Sequence, residues 1–176
     1  RHSRCWSAED RGKTLLFRSG GRAARLWCGR NRIRFMTMPQ DYFLASRDFD
    51  AFMEDAKTAL GHHSHHQTYT TVEAVLTVFR RRLTAAEGLR FASALPPVLR
   101  AIFVKDWIPQ AERPPFGARA QLEAEVKTIR PRHNFAPDGA IAIVAGVLRR
   151  HVNAEDFERV MATLPDGARD FWAAQP

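Results

Sequence analysis

Cysteine is almost missing from this chain, and its distribution makes the first exclusions. The only two, Cys5 and Cys28, lie near the start, and none occurs from residue 36 onward. The body of the protein therefore has neither a disulfide framework nor a thiolate zinc site. Long apolar runs are lacking too. The longest stretch without a charged or strongly polar side chain is residues 139–148, far short of the ~20 residues a membrane-spanning helix needs. The first 35 residues hold no apolar run long enough for a signal-peptide core. Strand-like alternation of apolar and polar residues is absent. Ser46, Ser64 and Ser93 have no Gly-x-Ser-x-Gly context. The glycines never gather into a phosphate-cradling loop, and His-Glu-x-x-His does not occur. Paired acids such as Glu123/Glu125 and Glu155/Asp156 stand at ordinary surface spacing. Nothing in the residue pattern argues for an enzyme.

What the chain has in excess is positive charge, a formal +8 with a pI near 10.5. Such a balance ordinarily suggests nucleic acid or an acidic surface as partner. Its position matters more than its size. Residues 1–35 hold nine Arg and one Lys against Glu9 and Asp10, leaving 17 basic and 17 acidic residues in the rest. A neutral body offers no overall electrostatic footprint for nucleic acid. Residues 1–37 could be a nucleic-acid-binding arm, an Arg-rich targeting presequence, or an extension foreign to the fold. The last reading is adopted here, because the chain opens on Arg1 and the composition changes at Met36 and Met38. A cysteine-free body with no export signal then reads as cytoplasmic.

The body reads as two copies of one unit. At an offset of 69, residues 74–103 and 143–172 share nine identities in thirty positions, where typical composition would supply about two. Among them are Val75/Val144, Val78/Val147, Arg80/Arg149, Leu95/Leu164, Pro96/Pro165 and Arg100/Arg169. Upstream an offset of 70 pairs Phe52 with Leu122 and Ala56 with Val126. Each copy should carry four helices. The first (47–60) has a stripe through Phe49, Phe52, Met53, Ala56 and Leu60 and stops at Gly61. The second (70–82) repeats it with Val72, Val75, Leu76 and Phe79, and its counterpart is apolar on nearly every face, which suits the middle of a bundle. The third opens on a Thr84–Glu87 capping box, or on Asn153 and Asp156 in the second copy. The fourth opens with Pro96 or Pro165 at N1. The expectation is an all-α protein, a tandem duplication of a four-helix unit forming one bundle, with repeats over 38–109 and 110–176.

The run Val72–Arg82, the Thr84–Glu87 cap, Leu95–Pro96 with Arg100, the Trp107-x-Pro109 link and the second Leu164–Pro165 leading to Trp172 resemble a bacterial family catalogued as domain of unknown function 2267. The likeness runs from about Phe49 to Trp172. It implies a duplicated helical bundle and supplies no catalytic residues.

Candidate sites follow from residue chemistry alone. His62, His63, His65 and His66 cluster between the first two helices. Imidazoles ligate zinc or nickel, so a flexible loop here could hold Zn²⁺ or Ni²⁺ weakly, and no other cofactor is expected. As a mere His-rich linker, the same tract would have only incidental metal affinity. Arg80–Arg82 and Arg149–His151 end their helices, where cations meet the negative end of the macrodipole, or else form anion sites. Arg100 and Arg169 suggest a repeated ion pair with Glu87 and Asp156, more architectural than functional. Trp107 and Phe116 flank a proline-stiffened linker and either clamp it to the seam or form an exposed aromatic binding patch. The leading functional expectation is a non-enzymatic interaction or scaffold module that uses grooves between repeats to bind a protein partner. Metal binding through the histidines and nucleic-acid binding through residues 1–35 are the alternatives.

Overall fold

The computed structural model describes residues 38–131 and 133–173, so every reading of residues 1–37 lies outside the described residues. All regular structure among them is helical: α1 (Gln40–Phe43), α2 (Ala45–Leu60), α3 (His65–Arg80), α4 (Ala85–Ser93), α5 (Pro97–Val104), α6 (Arg119–Thr128), α7 (Ala140–His151), α8 (Ala154–Met161) and α9 (Ala168–Phe171). The protein is all-α, and no helix of the described residues is long and apolar enough to cross a membrane.

Local chemistry sets most of the boundaries. α2 buries Phe52, Met53, Ala56 and Leu60, and Gly61 closes it in the left-handed region at φ 67°, where a Cβ would be strained. In α4 the Thr84 hydroxyl accepts from the Glu87 N–H while the Glu87 carboxylate accepts from the Thr84 N–H at 2.7 Å. Asn153 caps α8 by accepting from the Asp156 N–H at 2.9 Å.

Two expectations need correction. α3 begins at His65, not near residue 70, because the Ser64 hydroxyl accepts from the Gln67 N–H and provides an earlier cap. His65 and His66 therefore belong to a helical turn and not to a loop. Pro165 opens no helix: Gly167 sits at φ 87° in a turn, and α9 starts only at Ala168, whose N–H donates to Pro165 O. Pro96 is the N-cap of α5 and not its N1 residue, the place that Pro97 takes one position later.

α3 and α7 bury the most residues, nine of sixteen and six of twelve. α3 packs against α2, α5, α6 and α7, and α7 packs against α2 and α3. One apolar core runs from Phe52 to Trp172. At its centre Trp172, wholly buried, lies 5.5 Å from Phe91 in a stacked arrangement and 5.2 Å from Phe79 edge-on. Each such ring contributes about 1.5–3 kcal/mol by leaving water, with a further increment for aromatic geometry. The packing also crosses the sequence halves, since α2 lies on α7, α3 on α6, and α4 on α8.

Candidate functional site

The arginine clusters that end α3 and α7 are engaged with the protein itself. Arg80 Nη1 donates to Phe103 O and Lys105 O at 2.6 and 2.8 Å, capping the end of α5. Sixty-nine residues on, Arg149 Nε donates to Trp172 O at 3.0 Å. Their neighbours reach the opposite sequence half. Arg81 and Arg82 meet Glu125 of α6 at 3.0 and 2.6 Å, while Arg150 and His151 meet Asp55 of α2 at 4.0 and 2.8 Å. Burial pushes the Glu125 carboxyl up, but hydrogen bonds and charge from Arg82 and Arg81 outweigh it and hold the group below the usual carboxylate range. These side chains latch helices together, a role beyond the macrodipole and at odds with open anion sites.

Arg100 does not pair with Glu87. Its Nε donates to Ala92 O at 2.9 Å and its Nη2 to Leu95 O at 3.1 Å, so it caps the exposed carbonyls at the end of α4. Its Nη1 reaches the Tyr42 hydroxyl at 3.3 Å. Arg169 is exposed and makes no ion pair among the described residues. The expected acids have nearer partners: Glu87 closes its own capping box, and Asp156 pairs with Arg159 one turn along α8.

The four clustered histidines are dispersed by the same cap that starts α3. His62 bonds Phe135 O at 3.0 Å, and His65 bonds Glu54 at 2.6 Å. His63 is exposed, and His66 faces a separate depression with His133. Among the described residues no three His, Cys, Asp or Glu side chains are placed to hold a metal ion.

Trp107 and Phe116 are both half-buried in the linker. The Trp107 ring lies against Gly88 so closely that a Cβ there would stand 2.1 Å from it. Phe116 makes the same use of Gly167, where a Cβ would come within 2.5 Å, and its ring is 5.8 Å from Phe79. Each anchor of the linker fits against a glycine.

Between the packed pair α1–α2 and the packed pair α4–α8 runs a groove of about 760 Å³. The α4–α5 and α7–α8 junctions, through Ala94–Pro97 and His151–Asn153, also line it. α1 and α2 bring Asp41, Asp48 and Ala51 to it, and α4 and α8 bring Arg90, Asp156, Arg159 and Val160. Its hydroxyls are tied to backbone carbonyls, Ser93 Oγ to Leu89 O at 2.9 Å and Thr163 Oγ1 to Val160 O at 2.8 Å. The site therefore presents apolar and charged side chains together, and neither of its hydroxyls is an activated nucleophile.

Sequence reasoning missed this groove, Asp55 as a latch, and Glu123. The Glu123 carboxylate of α6 accepts from the Ile141 N–H at 3.0 Å and so caps α7, whose own N-cap is a glycine. Burial pushes the Glu123 carboxyl up, against the opposing pull of that N–H and of Arg119 and Lys127. The missing local cap at Gly139 was the one signal that a distant residue had to supply it.

A family model described as Uncharacterized conserved protein (DUF2267) matches residues 49–171, and the chain belongs to that family. Comparison with curated proteins finds no match.

Proposed function

We propose, from membership of that family and the geometry of the groove, that the protein is a non-enzymatic interaction module that binds a partner protein between α1–α2 and α4–α8. In the same reading it is a cytoplasmic scaffold built by tandem duplication, with the groove lying at the junction of the copies. The observation that carries the reading is the composition of the groove: small and apolar side chains such as Ala51, Ala94 and Val160 interspersed with charged ones such as Asp48, Arg90 and Asp156. Protein-binding sites usually combine apolar surface with polar groups. Phe43 and Tyr42, 75% and 53% exposed beside Asp41, extend apolar surface along one edge.

A photo-crosslinking residue at Ala51, compared with one at Ala124 on exposed α6 surface, tests this in the native cell. The expected result is a discrete partner crosslinked from position 51 only, whose purified form loses affinity for Val160→Trp. Equal labelling from both positions, or binding indifferent to Val160→Trp, overturns it.

A further inference from the structure

The groove has a counterpart elsewhere in the molecule, and the counterpart is walled on one side by the chain's own linker. Four residues that line the groove, Pro96, Pro97, His151 and Asp156, pair at the offset of 69 with Pro165, Asp166, Arg82 and Glu87. Those four line a single second depression, of about 410 Å³, and every other residue lining it belongs to the linker: Arg113, Pro114, Pro115 and Phe116. The chain thus lays its own Arg-Pro-Pro-Phe segment over one of two matching surfaces. Arg82 Nε donates to Pro115 O at 3.2 Å, the Arg82 guanidinium lies 6.0 Å from the Phe116 ring centre, and the Arg113 charge acts on Glu87.

The first surface is left open for a structural reason. At the offset of 70, the linker residues 113–116 correspond to 43–46. There α2 already begins at Ala45, whereas α6 begins at Arg119, the counterpart of Phe49. α2 is one turn longer at its N-terminus, so among the described residues no extended segment lies in the place that the linker takes.

Resting on the interaction-module reading, we propose that the groove takes an extended, proline-rich segment of a partner protein with a basic residue ahead of its prolines, bound as Arg113–Pro115 are bound in the counterpart. The recognising atoms are in place. His151 Nε2 holds Asp55 at 2.8 Å as Arg82 Nη2 holds Glu125 at 2.6 Å. Arg82 then has Nε for Pro115 O, and His151, with Nε2–H given to Asp55, offers Nδ1–H to a ligand carbonyl when its ring is doubly protonated; Nδ1 meets no partner among the described residues. Asp156 stands where Glu87 faces Arg113, and its carboxylate, paired with Arg159 along α8, would be shared with the ligand's basic side chain. Ala94, Val152 and Val160 offer apolar surface to the pyrrolidine rings, and a preformed polyproline conformation loses little entropy on docking. The aromatic residue is not required. Val98 occupies the place of Gly167, the residue that admits Phe116, and Phe49 lies beside it.

The test titrates the full chain with the hexapeptide Glu-Arg-Pro-Pro-Phe-Gly, followed by amide NMR. Saturable shifts are expected at Ala94, Asp156 and Val160. Asp156→Asn, which leaves the Asn153 cap of α8 in place, should weaken binding about tenfold through loss of one charge-assisted contact. His151→Arg should tighten it several-fold by restoring the Arg82-type donor. A peptide with Arg replaced by Ala should not bind, whereas one with Phe replaced by Ala should bind as well as the parent. Shifts confined to Glu87 and Asp166, with dependence on the peptide's Phe, would mean displacement of the linker and would overturn the proposal, as would failure to saturate at millimolar peptide. If the crosslinking experiment captures a groove partner while the peptide fails, this inference falls and the interaction-module reading stands; failure of both removes both.

Discussion

Arg82 ties the end of α3 to the linker and to α6 through one side chain. Its side chain is 6% exposed and donates to Val78 O, Pro115 O and Glu125. Arg82→Ala should destabilise the protein by about 2–4 kcal/mol, since it strands buried acceptors and half of an ion pair. Arg150→Ala removes a 57% exposed cation 4.0 Å from Asp55 and should cost less than about 0.5 kcal/mol. Urea denaturation of the two variants checks the contrast. The two buried-edge carboxylates of α6 predict opposite pH behaviour. Glu125 is held below its unfolded value, so its contribution is present above pH ~4.3 and is lost as pH falls through the folded value. Glu125→Gln should therefore cost stability at pH 7 and progressively less in acid. Glu123 is held above its unfolded value, so folding favours its protonated form and stability falls as pH rises through that window. Glu123→Gln should stabilise at pH 7, and the gain should vanish below pH ~4. Parallel melts across pH 3.5–7 would show the two differences diverging, and a common trend would contradict both assignments.

At the scale of elements, glycine positions separate packing from propensity. Gly88→Ala places a Cβ 2.1 Å from the Trp107 ring, and displacing that ring should cost about 1–3 kcal/mol. Gly146 lies in α7 with nothing within 4 Å of a Cβ. Gly146→Ala should therefore stabilise by about 0.5–1 kcal/mol through helix propensity. Thermal melts would show one variant falling and the other rising. Elements governed by local signals were legible beforehand: the α2 stripe with its Gly61 stop, and the caps at Thr84 and Asn153. Elements whose start turned on competition between neighbours were not. Ser64 outbid the later start expected for α3, and Gly167 overrode Pro165, because a left-handed residue in the first turn forbids the helix that proline would otherwise open.

Across the whole molecule, crossing contacts such as α2 on α7 and α3 on α6 make one core of both sequence halves. Val144, 1% exposed in α7, should act as a global determinant. Val144→Asp puts an unpaired charge in that core at a cost of several kcal/mol, and all helical signal should be lost in one transition. A residual transition at the parent temperature would show that the first half folds without the second.

The sequence by itself determined the helical class, the apolar stripes, most caps and the correspondence between residues 74–103 and 143–172, because each depends on neighbours within about four positions or on direct comparison of residues. Only the tertiary structure decided that Arg82 and His151 reach acids some 43 and 96 residues away. It alone turned Arg100 from an expected ion-pair partner into a cap, dispersed the histidines, and formed a groove between α1–α2 and α4–α8 among the described residues. Those outcomes turn on which helix end lies within about 3 Å of which side chain, a distance that periodicity and spacing along a chain do not encode.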